Sequence, residues 1–150
     1  MINTENLSTY LSDIKKDFYR YRNGVLADSL KKIPGSKKYI FGLTAPQFME
    51  LAKKYPKDIT LATELWKDKE CRESRLLALY LMPNDIIEYD QAKGMILDVE
   101  NVEEGDFLAF RVLRYLPYAH KLLEEVEGEH SPNDAIGHCV IMFKKNLDQI

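Results

Sequence analysis

The sequence predicts an all-α fold, a superhelical stack of antiparallel helix pairs (HEAT-like or ARM-type) that spans residues 1–150 as a single domain. Apolar residues recur at helical spacing in nearly every segment, and no stretch of useful length alternates with a period of two. Helix pairs from about residue 58 onward recur every 30 to 45 residues or so, which is the size of a HEAT-type repeat. Because nine helices joined by short loops pack as successive antiparallel neighbours, we expect a curved sheet of helices with a concave binding face.

Periodicity and capping residues predict nine helices. They cover about residues 5–21, 25–33, 44–55, 60–66, 71–82, 92–99, 103–115 and 117–126, with Pro117 in the first turn of the eighth, and a ninth is capped by Ser131 and Pro132. At the third helix, Thr44 and Gln47 match a capping box and Pro46 fits the first turn. The linking stretch 36–43 before it is too apolar to be left in water.

Charge divides the chain into a basic half and an acidic half. Residues 1–75 carry 15 Lys and Arg against 10 Asp and Glu, whereas residues 76–150 carry 6 against 14. The basic excess is concentrated over residues 15–57, where 11 basic residues face three acidic ones. This asymmetry is compatible with a polyanion bound mainly by the N-terminal half. Ordinary solvated helix faces explain the same pattern, so charge alone leaves both interpretations open.

Composition argues against several protein classes. The longest apolar run, residues 76–82, is far too short for a membrane span, and we expect no signal peptide at the N-terminus. Cys71 and Cys139 form neither a disulfide framework nor a metal-type pair, which favours the reducing cytoplasm. The histidines lack ligand spacing and are interpreted as surface or capping residues: His120, His130 and His138. We therefore expect no membrane, no metal and no cofactor.

Three short motifs between residues 39 and 83 occur in a distinctive order. They are Tyr39-Ile-Phe-Gly-Leu-Thr-Ala-Pro46, Leu65-Trp66 and Arg72-Glu-Ser-Arg75-Leu-Leu-Ala-Leu79. Their order and spacing resemble the DNA alkylation repair family of AlkD-like alkylpurine DNA glycosylases. In that family a Phe-Gly segment leads into a Pro-containing helix start, and a Leu-Trp precedes a helix with Glu-x-Arg. The match is looser over residues 1–38 and 84–118, and we see none over 127–150.

The resemblance implies a HEAT-like superhelix whose basic concave face holds duplex DNA, and hydrolytic release of alkylated purines without a metal. That chemistry needs a fixed carboxylate near C1′, because the sugar gains oxocarbenium character as the base leaves. The family pattern Asn-Trp-Asp-x-x-Asp corresponds here to Asn101-Val-Glu-Glu-Gly-Asp106. Asp106 thus takes the place of the catalytic acid and Glu103 that of the acid before it. Val102 replaces the tryptophan, and the family's later Trp-x-Arg-Arg-type element has no counterpart in this sequence.

Basic residues are the candidates for phosphate contacts, which fix register rather than read sequence. The candidates for DNA binding are Lys37, Lys38, Lys53, Lys54, Arg75, Arg111 and Arg114. Arg111 and Arg114 are three apart and are expected to share one side of a helix, where they hold a phosphate or offset the carboxylates around them. Arg75 holds a phosphate or bridges to a neighbouring helix, and Trp66 is interpreted as core packing.

Two functions remain open from the sequence. The first is an AlkD-like protein that binds double-stranded DNA, with Asp106 acting in base release if the protein is an enzyme. The second is a non-catalytic helical scaffold that binds a protein or peptide, a reading supported by the acidic C-terminal half and by Val102. In that reading Asp106 is an acid stabilised by the helix macrodipole in the first turn.

Overall fold

The computed structural model describes residues 2–128 and 134–149, in which the regular elements are helices and no strand is present. Their helices are α1 (Thr4–Tyr21), α2 (Gly24–Lys31), α3 (Ala45–Lys54), α4 (Ile59–Lys67), α5 (Arg72–Leu81), α6 (Tyr89–Leu97), α7 (Val102–Arg111), α8 (Ala119–Val126) and α9 (Ala135–Asp148), with a 3₁₀ turn at Leu113–Tyr115. The all-α prediction is confirmed for this part of the chain. None of the described helices has the length and hydrophobicity that a membrane span requires.

The chain forms two compact units, Met1–Met82 and Pro83–Ile150. The superhelical arrangement and the single repeat domain over residues 1–150 therefore stay predictions. Each unit has its own buried apolar residues.

The first unit is organised around the α4–α5 helix pair. Helix α3 packs on α5, and α1 packs on α4. The core side chains include Ile14, Phe18, Phe48, Leu61, Leu65 and Leu76, with Trp66 beside them. Thr44 and Gln47 form the predicted capping box, in which the Thr44 N–H donates to Gln47 Oε1 at 2.9 Å.

The linking stretch before α3 is held by a buried glutamate of α5. The Glu73 carboxylate accepts backbone N–H groups from Phe41 at 2.9 Å, Gly42 at 3.0 Å and Leu43 at 3.3 Å. Gly42 has φ +91°, and a Cβ there would lie 2.4 Å from the carbonyl oxygen of Asn23. The Phe-Gly and Glu-x-Arg motifs are thus two parts of one structural contact.

The second unit is organised around α7 and α9. Helices α6 and α8 and the 3₁₀ turn also pack on α9. The two main helices approach closely at Gly105, where a Cβ would lie 3.1 Å from Cys139 Cβ and 3.2 Å from its Cα. Because Gly105 has no side chain, α7 and α9 can pack this closely at Cys139, and that packing fixes the distance between the side chains next to this contact.

Some predicted helix boundaries are wrong. The seventh helix ends at Arg111 rather than near residue 115, because Val112 leaves helical geometry with φ −122° and ψ −60°. The fourth begins at Ile59, one residue before the predicted start, and is capped by Asp58, whose carboxylate accepts from the Thr60 and Leu61 N–H groups. Pro117 precedes α8 instead of lying in its first turn.

The ninth helix has a cap other than the predicted one. The Asp134 side chain caps α9 by accepting the Gly137 N–H. The predicted caps Ser131 and Pro132, and His130, lie outside the described residues.

Candidate functional site

Asp106 lies in the second turn of α7 with its carboxylate accessible. Its side chain is 43% exposed, and Oδ1 lies 2.7 Å from Nε2 of His138 on α9. The structure therefore leaves the proposed catalytic carboxylate open to solvent and joins it to an imidazole that sequence reasoning had set aside. A pairing across 32 positions leaves no local sequence signal.

The macrodipole explanation for Asp106 does not fit its position. The acidic residues in the first turn of α7 are Glu103 and Glu104. Asn101 caps the helix by accepting the Glu104 N–H at 2.8 Å, and Glu104 reaches back to the Glu100 N–H at 2.9 Å. Those residues satisfy the start of the helix, and the dipole effect falls off within the first turn.

The buried thiol beside the site is kept neutral. Burial raises the pKa of Cys139 to about 12, and the nearby negative charge of Asp106 adds to the shift. Both cysteines of the chain are free and buried. A neutral buried thiol is a poor nucleophile, so Cys139 serves packing against Gly105 rather than covalent chemistry.

An exposed aromatic and cationic cluster follows Asp106 along the chain. Phe110, one helical turn after Asp106, is 46% exposed, and the Arg114 guanidinium lies 4.0 Å from its ring centroid. Arg114 also lies 4.7 Å from the ring centroid of Tyr115 and donates from Nη2 to the Tyr115 hydroxyl at 2.6 Å. Sequence reasoning missed Phe110 and Tyr115, although an aromatic four residues after Asp106 was a usable signal.

Arg111 and Arg114 do not share one side of a helix as predicted. Arg111 is the last residue of α7, and Arg114 belongs to the 3₁₀ turn. The Arg114 Nε–H donates to the Phe110 carbonyl oxygen at 2.8 Å, which holds the guanidinium over the Phe110 ring. Arg114 is thus held in place by contacts on the same surface as Phe110.

The four candidate lysines of the first unit occupy different environments. Lys38 and Lys53 are exposed, with Lys38 Nζ 5.3 Å from the Tyr39 ring centroid and Lys53 paired with Glu50 at 3.4 Å. Lys37 is only 8% exposed, which does not fit a phosphate ligand on the surface. The accessible candidates therefore lie within the linking stretch, at Lys38, and in the last turn of α3, at Lys53.

Lys54 is anchored to a buried carboxylate. Its Nζ lies 2.9 Å from Asp17 Oδ2, and Arg20 approaches the same carboxylate at 3.4 Å. Burial opposes ionisation of Asp17, but hydrogen bonds from Tyr55 and Lys54 outweigh it and lower the pKa of Asp17 below its ordinary value. The charge of Lys54 is thus partly neutralised, while its side chain stays half exposed.

The phosphate-binding expectation for Arg75 does not fit its position. Arg75 is fully buried, its guanidinium carbon lies 3.6 Å from the Trp66 ring centroid, and Nη1 donates to the Trp66 carbonyl oxygen at 2.8 Å. Trp66 itself is buried, as predicted. Arg75 joins α5 to α4, which agrees with the alternative that it bridges neighbouring helices.

A metal site would need several His, Cys, Asp or Glu side chains close together within residues 2–128 and 134–149. No group of three or more His, Cys, Asp or Glu side chains in those ranges is placed to hold a metal ion. Asp106 contacts the His138 imidazole, and Phe110 lies one helical turn further along α7.

Comparison with protein-family models gives a match over most of the chain. The family model described as DNA alkylation repair enzyme matches residues 14–128. No curated protein and no solved structure matches the chain. The matched range includes both the motifs at residues 39–83 and the segment 101–106 that carries Asp106.

Proposed function

We propose, since the chain belongs to the DNA alkylation repair enzyme family, that it is a cytoplasmic HEAT-like protein that binds duplex DNA and hydrolytically releases alkylated purines. The observation that carries the proposal is the environment of Asp106. Its carboxylate is 43% exposed and has a defined partner, and an exposed aromatic ring follows one turn later. A fixed anion of this kind stabilises the positive charge that develops on the sugar as the base departs.

Phe110 supplies an aromatic face that Val102 does not. Val102, Asp106 and Phe110 are spaced four residues apart on α7, so they lie along one face of the helix, and both apolar side chains are about half exposed. An aromatic ring beside the reacting sugar attracts its cationic form. We assign this role to Phe110 because position 102 has no ring.

The phosphate contacts are assigned to the accessible basic residues. In the second unit Arg114 is held over Phe110, and Arg111 ends the helix that carries Asp106. In the first unit Lys38, Lys53 and Lys54 are exposed. Such contacts fix the position of the duplex and contribute affinity without reading sequence.

Removal of the Asp106 charge tests the catalytic part of the proposal. The substrate is duplex DNA methylated at purine N3 and N7 positions, and the assay follows released base and abasic sites in single turnover. Asp106→Asn keeps the shape of the side chain, so we expect base release about 100-fold slower or more, with a DNA dissociation constant within about twofold of wild type. Asp90→Asn, on the exposed start of α6, is the matched control and should behave as wild type. Full base release by Asp106→Asn would remove this carboxylate from the mechanism.

A protein-binding scaffold is the second candidate function, and exposed apolar side chains in the second unit favour it. Val102, Phe110 and Tyr115 are each about half exposed. Apolar patches of this kind also mark protein interaction sites. A scaffold of this class would have no affinity for duplex DNA at low salt, whereas the proposed DNA-binding protein would bind it and release it as salt rises.

A further inference from the structure

His138 is the group that the structure adds to the proposed site. Its imidazole lies on α9, is about 29% exposed, and meets the Asp106 carboxylate through Nε2 at 2.7 Å. The pair joins the two helices that make the main contact of the second unit. Nothing in the motifs around residues 101–106 or 39–83 involves this histidine.

The backbone next to the pair is held at a fixed distance. Gly105 precedes Asp106, Cys139 follows His138, and these two neighbours approach so closely that a Cβ at position 105 would lie 3.1 Å from Cys139 Cβ. A side chain at position 105 would have to push the helices apart. The distance between carboxylate and imidazole is therefore set by the packing of the helices and not only by two mobile side chains.

Several other charged groups on α9 and on the elements packed against it have partners of their own. Lys93 of α6 pairs with Glu125 of α8, and Lys144 of α9 pairs with Glu127. On the remaining sides, the Asp134 carboxylate caps the start of α9 and Arg114 of the 3₁₀ turn lies over Phe110 and Tyr115. Asp106 is the carboxylate that the described contacts place on His138.

We infer that His138 is the general base of the proposed hydrolysis, held in position by Asp106; the inference rests on the proposed function. With the Nε2–H donated to Asp106 Oδ1, Nδ1 is the ring nitrogen that accepts a proton, since a neutral imidazole has one donor and one acceptor. Imidazole is also the side chain that most often serves as a general base in enzymes.

The step balances without any further reactant. The C1′–N9 bond breaks and its electron pair goes to the alkylated, positively charged purine, which leaves as a neutral base. The oxygen of a water molecule forms the new bond to C1′, and the proton that it gives up goes to Nδ1 of His138. Asp106 stabilises both the cationic sugar and the imidazolium that results.

Two variants separate a base from a residue that only positions Asp106. His138→Gln places an amide N–H donor near the position of Nε2 but has no group that takes a proton, whereas His138→Ala removes both functions. For a base, both variants lose about 100-fold or more of the single-turnover rate at neutral pH. The wild-type rate falls on the acid side of the pH profile, and this limb is absent from the His138→Gln profile. His120→Gln, on the exposed surface of α8, is the control and keeps the wild-type rate and profile.

The outcomes distinguish this inference from the proposed function. If the wild-type protein releases no purine from methylated DNA, that result would overturn the proposed function and, with it, the role of His138 as general base. If the wild type releases the purine and His138→Gln does so at the same rate, with the acid limb of its pH profile intact, the inference alone would be overturned. Asp106 would then remain as the acting group. If the single-turnover rate falls in His138→Ala but not in His138→Gln, His138 only positions Asp106, and its role as general base would be overturned.

Discussion

Four hydrogen bonds end on the carboxylate of Glu73, which is fully buried. Three come from consecutive backbone N–H groups of the linking stretch and the fourth from Arg72 Nη1 at 2.6 Å. Arg72 also donates to the Leu43 carbonyl oxygen at 3.0 Å and lies over the Phe48 ring. A buried charge is tolerated when it is paired and its lone pairs are satisfied, and Glu73 meets both conditions.

Glu73→Gln should destabilise the protein strongly. The amide has one acceptor oxygen, its NH₂ group faces backbone N–H donors, and Arg72 loses its ionised partner. We expect the free energy of unfolding to fall by about 3 to 5 kcal/mol, measured by urea denaturation followed by circular dichroism. Glu64→Gln is the control, because Glu64 forms an exposed pair with Lys67 on α4 and should cost less than about 1 kcal/mol. Similar losses in the two variants would contradict the role assigned to Glu73.

At the scale of the elements, the sequence predicted well which segments form secondary structure and that they are helices, because the signals for both are local. Apolar spacing identified the helices, and Thr44, Gln47 and Pro46 identified the start of α3. The early end of α7 was missed because Leu113 and Leu116 continue the apolar pattern beyond the point where Val112 leaves helical geometry. The Asp106–His138 pair was missed because it depends on which two helices pack together, and periodicity carries no such information.

The contact between α7 and α9 makes Gly105→Ala a test of packing at the site. A Cβ at position 105 would press on the backbone of Cys139, which cannot rotate away, so we expect a loss of about 1 to 3 kcal/mol in the free energy of unfolding. Gly94→Ala in α6 is the matched control, because a Cβ there has nothing within 4 Å. That change should stabilise the protein by up to about 1 kcal/mol through helix propensity. Thermal or urea unfolding measures the free energy of unfolding of both variants. Stabilisation of the same size in both would contradict a tight contact at Gly105.

At the scale of the whole molecule, the sequence predicted where positive charge accumulates but not which cations remain accessible. Lys37 and Arg75 are buried, and Lys54 is partly neutralised by Asp17, whereas Lys38 stays exposed. These differences arise from tertiary packing, which places the residues of one basic segment in different surroundings. The basic surface available to a polyanion is therefore smaller than the charge count of residues 15–57 indicates.

Salt dependence tests whether that smaller surface binds DNA. Each phosphate neutralised by a protein cation contributes about 0.9 to the slope of log affinity against log salt concentration. If Lys38 and Lys53 each contact a phosphate, the double variant Lys38→Gln/Lys53→Gln should bind duplex DNA more weakly, and its slope should be lower by about 2. Fluorescence anisotropy between 50 and 200 mM salt, roughly, measures both quantities. Lys144→Gln is the control, since Lys144 lies in the second unit and pairs with Glu127 at 2.8 Å. The slope of this variant should equal that of the wild type. An unchanged slope in the double variant would place the DNA elsewhere, and no affinity at low salt would favour the protein-binding scaffold.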